Sequence, residues 1–141
     1  MVISKKYHFY AGHRNENLDD KCFNLHGHTY YVTMDFDFDY NENDENDGIT
    51  VLFGAIDKLV NPIIKKLDHS LLIHEKDPLL KYLMMFTKEE KTSLKLSLFK
   101  NETSAENLAI YIFNEVTQLL PIVKISIQET TTSTVVYEDS N

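Results

Sequence analysis

The sequence has little cysteine, little glycine and fewer basic than acidic residues. Each of these shortages excludes some classes of function. The single cysteine, Cys22, excludes an internal disulfide, so this thiol fills the core, binds a metal or reacts. The four glycines form no Gly-rich dinucleotide-binding loop. With 14 basic against 22 acidic residues, the net charge of −8 argues against a broad nucleic-acid surface.

Long apolar runs are absent as well. No run approaches the roughly 20 residues that are needed to cross a bilayer. The opening segment MVISKKYHFY lacks the apolar region of a secretory signal. We therefore expect no membrane partner and a cytoplasmic location. A length of 141 residues with 43% hydrophobic content fits one globular domain over 1–141 with a core of its own.

A two-residue period predicts strands at both ends of the chain. Residues 29–39, TYYVTMDFDFD, place large apolar side chains on one face, which is typical of a half-buried antiparallel strand. Residues 2–10 alternate more loosely, and IVKISIQE and STVVYED predict two closing strands. The acidic run at 39–48 predicts a solvated loop, because its carboxylates lack the spacing of a calcium site. GITVLF, which follows it, predicts a returning strand.

Steps of three and four residues predict two amphipathic helices. The first spans 53–67, where Pro62 predicts a kink or a split near Asn61. The second begins at TSAE, which has the form of a capping box with Thr103 as the N-cap, and it stops at Pro121.

The segment 74–99 between these helices has a weaker pattern. It predicts a short helical piece after Pro78, a polar turn at 87–93 and a strand at 94–99. Taken together, the elements predict an α+β fold, in which two helices cover one face of an antiparallel sheet.

Three histidines are spaced to bind a metal. His26 and His28 flank Gly27, and on an extended chain this spacing points both imidazoles to the same side. His13 follows another predicted strand and reaches the same point from a neighbouring segment. Three neutral imidazoles are typical of a catalytic zinc site with an open fourth position. On spacing alone, ordinary strand histidines remain the alternative.

Cys22 and the pair Asp68–His69 are candidates for proton transfer. Cys22 lies four residues before His26 in the polar stretch LDDKC, which argues against burial in a core. It is either a fourth ligand of a closed site or a thiol that acts as a base or proton donor. His69 follows the first helix, where it is either a helix-terminal cap or an acid–base group that Asp68 orients.

These motifs resemble, in order, the signature blocks of the 6-pyruvoyl-tetrahydropterin synthase superfamily. The blocks are HR at 13–14, KCFNLHGH at 21–28, LDH at 67–69, TSAENLA at 103–109 and QET at 128–130. The resemblance implies the tunnelling fold (T-fold), a four-stranded antiparallel sheet with two antiparallel helices on one face. It also implies a homo-oligomer, usually a hexamer, with active sites at subunit interfaces.

The same resemblance assigns roles by position. The residues that it implies as ligands of Zn²⁺ are His13, His26 and His28. Those that it implies for proton transfer are Cys22, Asp68 and His69. Glu129 is implied to anchor the pterin ring, where a carboxylate accepts two parallel hydrogen bonds from an aminopyrimidine edge. Ser104 and Ala105 fall where the family's loop contacts the pterin.

The spacing from Cys22 to the HGH motif favours one branch of the superfamily. Three intervening residues are similar to the bacterial 6-carboxy-tetrahydropterin synthases, whereas the pyruvoyl branch typically has a longer gap. The carboxy enzymes convert 7,8-dihydroneopterin triphosphate to 6-carboxy-tetrahydropterin with loss of acetaldehyde and triphosphate, in queuosine (7-deazapurine) synthesis. The alternatives are a 6-pyruvoyl-tetrahydropterin synthase, which retains the side chain, and a pterin- or zinc-binding protein without turnover.

Some positions depart from the family pattern or lack a clear assignment. Leu52 stands where relatives often have a polar residue, the usual NPT before the second helix appears as ETS, and 74–99 is longer than in compact members. Arg14 and Lys21 are candidates to bind the triphosphate by proximity only.

Overall fold

The computed structural model describes residues 1–18 and 21–139, which form three helices and six strands. The helices are α1 (Phe53–Leu67), α2 (Leu79–Glu89) and α3 (Ala105–Thr117). The strands are β1 (Val2–His13), β2 (His26–Asp37), β3 (Ser70–His74), β4 (Leu96–Phe99), β5 (Ile122–Thr130) and β6 (Ser133–Glu138). A 3-10 turn at Lys21–Phe23 leads into β2.

The strands form one mixed sheet in the order β4-β3-β1-β2-β5-β6. The pairs β1–β2, β2–β5 and β5–β6 are antiparallel, which is the four-stranded sheet that was expected. β3 and β4 extend this sheet as parallel strands beyond β1, so the expected strand number was wrong by two. The two helices expected on the sheet are α1 and α3, and α2 is the helical piece predicted after Pro78. α2 supplies the crossover that the parallel neighbours β3 and β4 need.

The core lies between the sheet and two of the helices. The apolar face that alternation predicted for β2 is fully buried: Tyr30, Val32, Met34 and Phe36. Against it pack the stripes of α1 and α3, whose buried members include Ile56, Val60, Ile64, Leu108, Ile112, Phe113 and Val116. Each such side chain contributes roughly 1.5–3 kcal/mol when it is fully buried. None of the described side chains of α2 is buried, so this helix lies outside the core.

One prediction around α1 was wrong: GITVLF forms no strand, because residues 49–52 are irregular and Phe53 already begins the helix. Pro62 does not split α1, which continues to Leu67, and the alternative of a kink there stays a prediction. Val60 and Ile64 are buried on either side of the proline, and this packing holds both halves of the helix against the core.

The bounds predicted for α1, 53–67, are confirmed, whereas the N-terminus of α3 differs from the predicted one. Leu52 is the N-cap of α1, and its apolar side chain forms no cap hydrogen bond. Ser104, not Thr103, caps α3, because its side chain accepts a hydrogen bond from the amide of Asn107. The acidic run after β2 is an exposed loop, as predicted. Within the described ranges, no helix has the length and apolar character that spanning a membrane requires.

Candidate active site

Three histidine rings meet where β1 ends and β2 begins. In the antiparallel pairing, His13 stands opposite His26, and Ala11 stands opposite His28. The ring centroids of His13 and His26 are 4.5 Å apart, and those of His26 and His28 are 4.9 Å apart. One ring nitrogen from each histidine lies within 4.8 Å of the other two. The structure therefore brings together the three residues that the sequence suggested as metal ligands.

Backbone carbonyls orient two of these rings. His13 Nδ1 lies 2.8 Å from the carbonyl oxygen of Thr103, and His26 Nδ1 lies 2.7 Å from that of Asn24. Because a carbonyl only accepts hydrogen bonds, a neutral ring carries its proton on Nδ1 and has a lone pair on Nε2. This is the outer-shell arrangement that metal-binding histidines adopt.

The spacing of the nitrogens fits one zinc ion. His13 Nε2 and His28 Nε2 are 3.1 Å apart. Two ligand nitrogens about 2.0–2.1 Å from a tetrahedral zinc ion stand roughly 3.4 Å apart. Two lone pairs at such a distance repel each other unless a proton or a cation lies between them. The donor set therefore fits zinc.

Burial keeps His13 and His28 in the neutral form that binds metal. The side chain of His13 is only 1% exposed. Burial lowers the pKa of His13 to about 4. The hydrogen bond to Thr103 raises this pKa, whereas the charges of His26 and His28 lower it further. Burial also lowers the pKa of His28, although Glu129 opposes the shift. Both rings are thus neutral near pH 7, as metal binding requires.

A cavity of about 370 Å³ opens in front of the three rings. Its other lining residues are Asn15, Lys21, Cys22, Glu129 and Thr130. Cys22 and Glu129, both suggested by the sequence, thus line the same cavity as the histidines. The cavity volume falls in the range of small-molecule sites, which is about 300–1,000 Å³. Lys21 supplies a cation at its wall.

Glu129 lies beside the histidines rather than out on the surface. Its Oε1 is 3.5 Å from His13 Nε2 and 3.5 Å from His28 Nε2. The hydroxyl of Tyr30 donates a hydrogen bond of 3.5 Å to the same oxygen. Burial raises the pKa of Tyr30, and the neighbouring Glu129 raises it further. The phenol therefore keeps its proton and acts as a hydrogen-bond donor. The role of Glu129 as pterin anchor stays a prediction.

Arg14 forms an ion pair with Asp77, and its suggested contact with the triphosphate stays a prediction. Its Nε and Nη2 donate hydrogen bonds of 2.8 and 2.7 Å to the two carboxylate oxygens of Asp77. Asp77 is buried, and its Oδ1 also accepts from the amide of Leu79 at the start of α2. Burial raises the pKa of Asp77, but the hydrogen bonds from Arg14 and Leu79 hold it below its usual range. Sequence reasoning missed Asp77, which ties the end of β1 to α2.

Asp68 and His69 form a pair at a different place. His69 Nδ1 lies 3.0 Å from Asp68 Oδ2, and Asp68 Oδ1 accepts from the amide of Tyr10 at 2.9 Å. That backbone hydrogen bond, with a contribution from His69, holds the pKa of Asp68 below its usual range against partial burial. His69 has a positive φ of 57°, which is uncommon for a histidine, and its side chain is 75% exposed.

His69 and Cys22 line two different cavities of one copy, and these cavities share His28. The cavity of His69 has a volume of about 540 Å³, and its wall also includes Gly12 and Gly27. Among residues 1–18 and 21–139, neither Asp68 nor His69 lines the cavity that contains Cys22.

The segment before α3 contacts His13 through Thr103, which the sequence did not indicate as a site residue. Thr103 accepts from His13 through its carbonyl, and its hydroxyl donates to the carbonyl of Arg14 at 3.2 Å. Ser104 uses its side chain to cap α3, and Ala105 is buried. In the part of the chain that the structure describes, neither lines the cavity, so their contact with a pterin stays a prediction.

Gly27 allows the close approach of β1 and β2 at the histidines. A Cβ there would lie 3.2 Å from the carbonyl oxygen of Ala11, so the strand pairing would have to shift. We expect Gly27→Ala to weaken metal binding at the three histidines about tenfold, the size of effect that follows when the support of metal ligands is disturbed. Competition titration with a chelating dye measures the change.

Gly54→Ala is the matched control for this prediction. Gly54 lies in α1, and a Cβ there meets nothing within 4 Å. This variant is expected to bind zinc like the parent protein. Equal zinc affinity in both variants would contradict the role given to the glycine between the histidines.

Comparison with known proteins identifies first the class and then the family. The class is the T-fold: the solved structure of Caenorhabditis elegans 6-pyruvoyl tetrahydropterin synthase matches with a TM-score of 0.66 at 24% identity, covering 99% of this chain and 96% of that one. The family model of 6-pyruvoyl tetrahydropterin synthase matches residues 2–140. The chain belongs to this family.

Two bacterial relatives carry the name 6-carboxy-5,6,7,8-tetrahydropterin synthase. The protein from Rickettsia bellii is 32% identical over 117 residues, which cover 82% of this chain and 80% of that protein. The protein from Rickettsia conorii is 31% identical over 142 residues, which cover 100% of this chain and 96% of that protein. The family resemblance that the sequence motifs indicated is thereby confirmed.

Proposed function

We propose that this protein is a zinc-dependent 6-carboxy-5,6,7,8-tetrahydropterin synthase. It converts 7,8-dihydroneopterin triphosphate to 6-carboxy-tetrahydropterin with loss of acetaldehyde and triphosphate. The observation that carries the proposal is the cavity in which Cys22 and Glu129 accompany three converging histidines. The names of relatives at 31% and 32% identity support the carboxy branch.

The cavity offers a separate group for each part of the substrate. His13, His26 and His28 would hold Zn²⁺, and when bound, this ion is a Lewis acid that acidifies the hydroxyls of the substrate side chain. Glu129 accepts hydrogen bonds from the aminopyrimidine edge of the pterin. Lys21 at the cavity wall supplies a positive charge toward the triphosphate.

Two groups move protons in the proposed reaction. Cys22 lines the cavity and exchanges a proton through Sγ on one side of the C1′–C2′ unit. His69 serves the other side: Asp68 accepts its Nδ1–H, so Nε2 is the atom that takes and returns a proton. Together they support triphosphate elimination, tautomerisation and the retro-aldol cleavage that releases acetaldehyde.

The proposal includes a homo-oligomer, because Asp68 and His69 do not line the Cys22 cavity of their own copy. The 75% exposure of His69 leaves its ring accessible to a second copy. β4 and β6 are the outer strands of the sheet, and their edges are available for pairing between copies. We propose a hexamer with active sites between subunits. A cytoplasmic location follows from the proposal, because Cys22 acts as a reduced thiol.

The products of turnover test the proposed reaction. Incubation of the zinc-loaded protein with 7,8-dihydroneopterin triphosphate is expected to release one acetaldehyde per triphosphate, which alcohol dehydrogenase and NADH detect. Triphosphate release without acetaldehyde would overturn the carboxy reaction and support the 6-pyruvoyl branch, which the solved Caenorhabditis elegans protein represents. Binding of the pterin with neither product would support the non-catalytic alternative.

A further inference from the structure

A second group of metal-binding side chains lies outside the cavity of the three histidines. Glu16 follows β1, His74 is the last residue of β3, and Glu102 precedes α3. One ligand atom from each residue lies within 4.8 Å of the other two. The side chains of Glu16, His74 and Glu102 are only 16%, 14% and 24% exposed. Three separate segments thus bring two carboxylates and one imidazole together in a largely buried place.

The contact of His74 Nε2 with the carbonyl of Lys100 turns its Nδ1 toward two carboxylates. His74 Nε2 lies 3.2 Å from the carbonyl oxygen of Lys100, so a neutral ring carries its proton on Nε2 and directs an Nδ1 lone pair toward the carboxylates. His74 Nδ1 and Glu102 Oε2 are both buried without a hydrogen-bond partner among the described residues. A buried lone pair between two carboxylates is unfavourable, so Nδ1 either carries a proton toward Glu16 and Glu102 or faces a bound cation.

The distances within the cluster match coordination better than hydrogen bonding. His74 Nδ1 is 3.4 Å from Glu16 Oε1 and 3.6 Å from Glu102 Oε1. Both exceed the usual range of about 2.7–3.2 Å for N–H···O hydrogen bonds. Two ligand atoms about 2.0–2.2 Å from one tetrahedral ion stand roughly 3.4 Å apart. The side chain of Asn17 donates to Glu102 Oε1 and holds this carboxylate in place.

We propose that Glu16, His74 and Glu102 bind a second divalent cation of the first-row transition series, with zinc as the expected ion. An imidazole favours such an ion over Mg²⁺ or Ca²⁺, which prefer oxygen ligands alone. Glu102 opens the ETS segment that stands where the family pattern usually has NPT. The ligand set thus includes a residue at a position that departs from the family pattern, and the inference does not depend on the proposed reaction.

The position of the cluster suggests what the ion does. Glu102 directly precedes Thr103, whose carbonyl orients His13. Glu16 lies three residues after His13 in the chain. An ion held here joins the ends of β1 and β3 to the loop before α3. It therefore stabilises the backbone that aims the buried histidine of the first site.

Metal stoichiometry tests the second site. Metal-free protein is loaded with Zn²⁺ and dialysed, and its zinc content is measured by mass spectrometry against protein concentration. We expect about two zinc ions per chain in the parent and about one in the Glu16→Gln/Glu102→Gln variant, because neutral amides are poor zinc ligands. Glu75→Gln is the matched control; it removes an exposed carboxylate next to His74 and is expected to keep about two ions.

A second pair of variants keeps the inference testable if the double glutamine variant fails to fold. In His13→Ala/His28→Ala, calorimetric titration with Zn²⁺ is expected to show about one remaining site per chain, and adding His74→Ala is expected to remove it. One ion in the parent, or two in the double glutamine variant, would overturn the second site. Neither result bears on acetaldehyde release, so failure here is distinct from failure of the proposed reaction.

Discussion

Replacing Cys22 by alanine is expected to lower the rate of acetaldehyde formation by about 10²–10⁴-fold, the range for loss of a general acid or base. Cys22 lines the cavity in front of the three histidines, where no second thiol is available because the chain has a single cysteine. In the proposed site, His13, His26 and His28 would hold the metal without it. The variant should therefore keep its zinc while losing turnover, as measured by the coupled acetaldehyde assay and by zinc content.

Ser126→Ala is the matched control for this variant. It also removes one heteroatom, but Ser126 lies in the middle of β5 and is not among the residues that line the cavity. Its activity and zinc content should equal those of the parent. Loss of zinc from Cys22→Ala would make the cysteine a structural ligand and would favour the non-catalytic alternative. Full activity in Cys22→Ala would remove the thiol from the mechanism.

Mixing two inactive variants is expected to restore activity if each active site spans two subunits. Cys22→Ala and His69→Ala each lack one proton-transfer group, and in one copy these groups lie in different cavities. When equal amounts are co-expressed with different tags, about a quarter of the sites in random oligomers combine an intact cysteine with an intact histidine. Purification through both tags and the acetaldehyde assay measure the recovery.

The structure also provides the control for this mixing experiment. Cys22 and Glu129 line the same cavity of one copy. Co-expression of Cys22→Ala with Glu129→Gln should therefore restore nothing, because every site retains one defect. Absence of recovery with His69→Ala as well would place the complete active site within a single chain and contradict the interface model.

Local periodicity accounts for most of what the sequence alone determined. The two-residue alternation of β2 and the apolar stripes of α1 and α3 indicated the α+β class, because each pattern lies within one element. The prediction that the three histidines lie together rests on the same two-residue period. His26 and His28 share a face because they are two residues apart on a strand, and pairing with β1 puts His13 opposite His26. The motifs around them indicated the family.

Long-range packing determined the features that the sequence did not predict. β3 has only five residues, too few for its period to predict that it would extend the sheet beyond β1 with β4. The engagement of Arg14 depends on Asp77, which is 63 positions away and has no distinctive sequence context.

The positions of His69 and of the cluster formed by Glu16, His74 and Glu102 were likewise decided by tertiary structure. Asp68 and His69 were identifiable as a pair, but only the folded chain shows that they lie at a cavity apart from Cys22. Glu16, His74 and Glu102 come from three distant segments, which meet only after β1, β3 and the loop before α3 have packed together. A sequence pattern reports neighbours along one element, whereas these sites are made by contacts between elements.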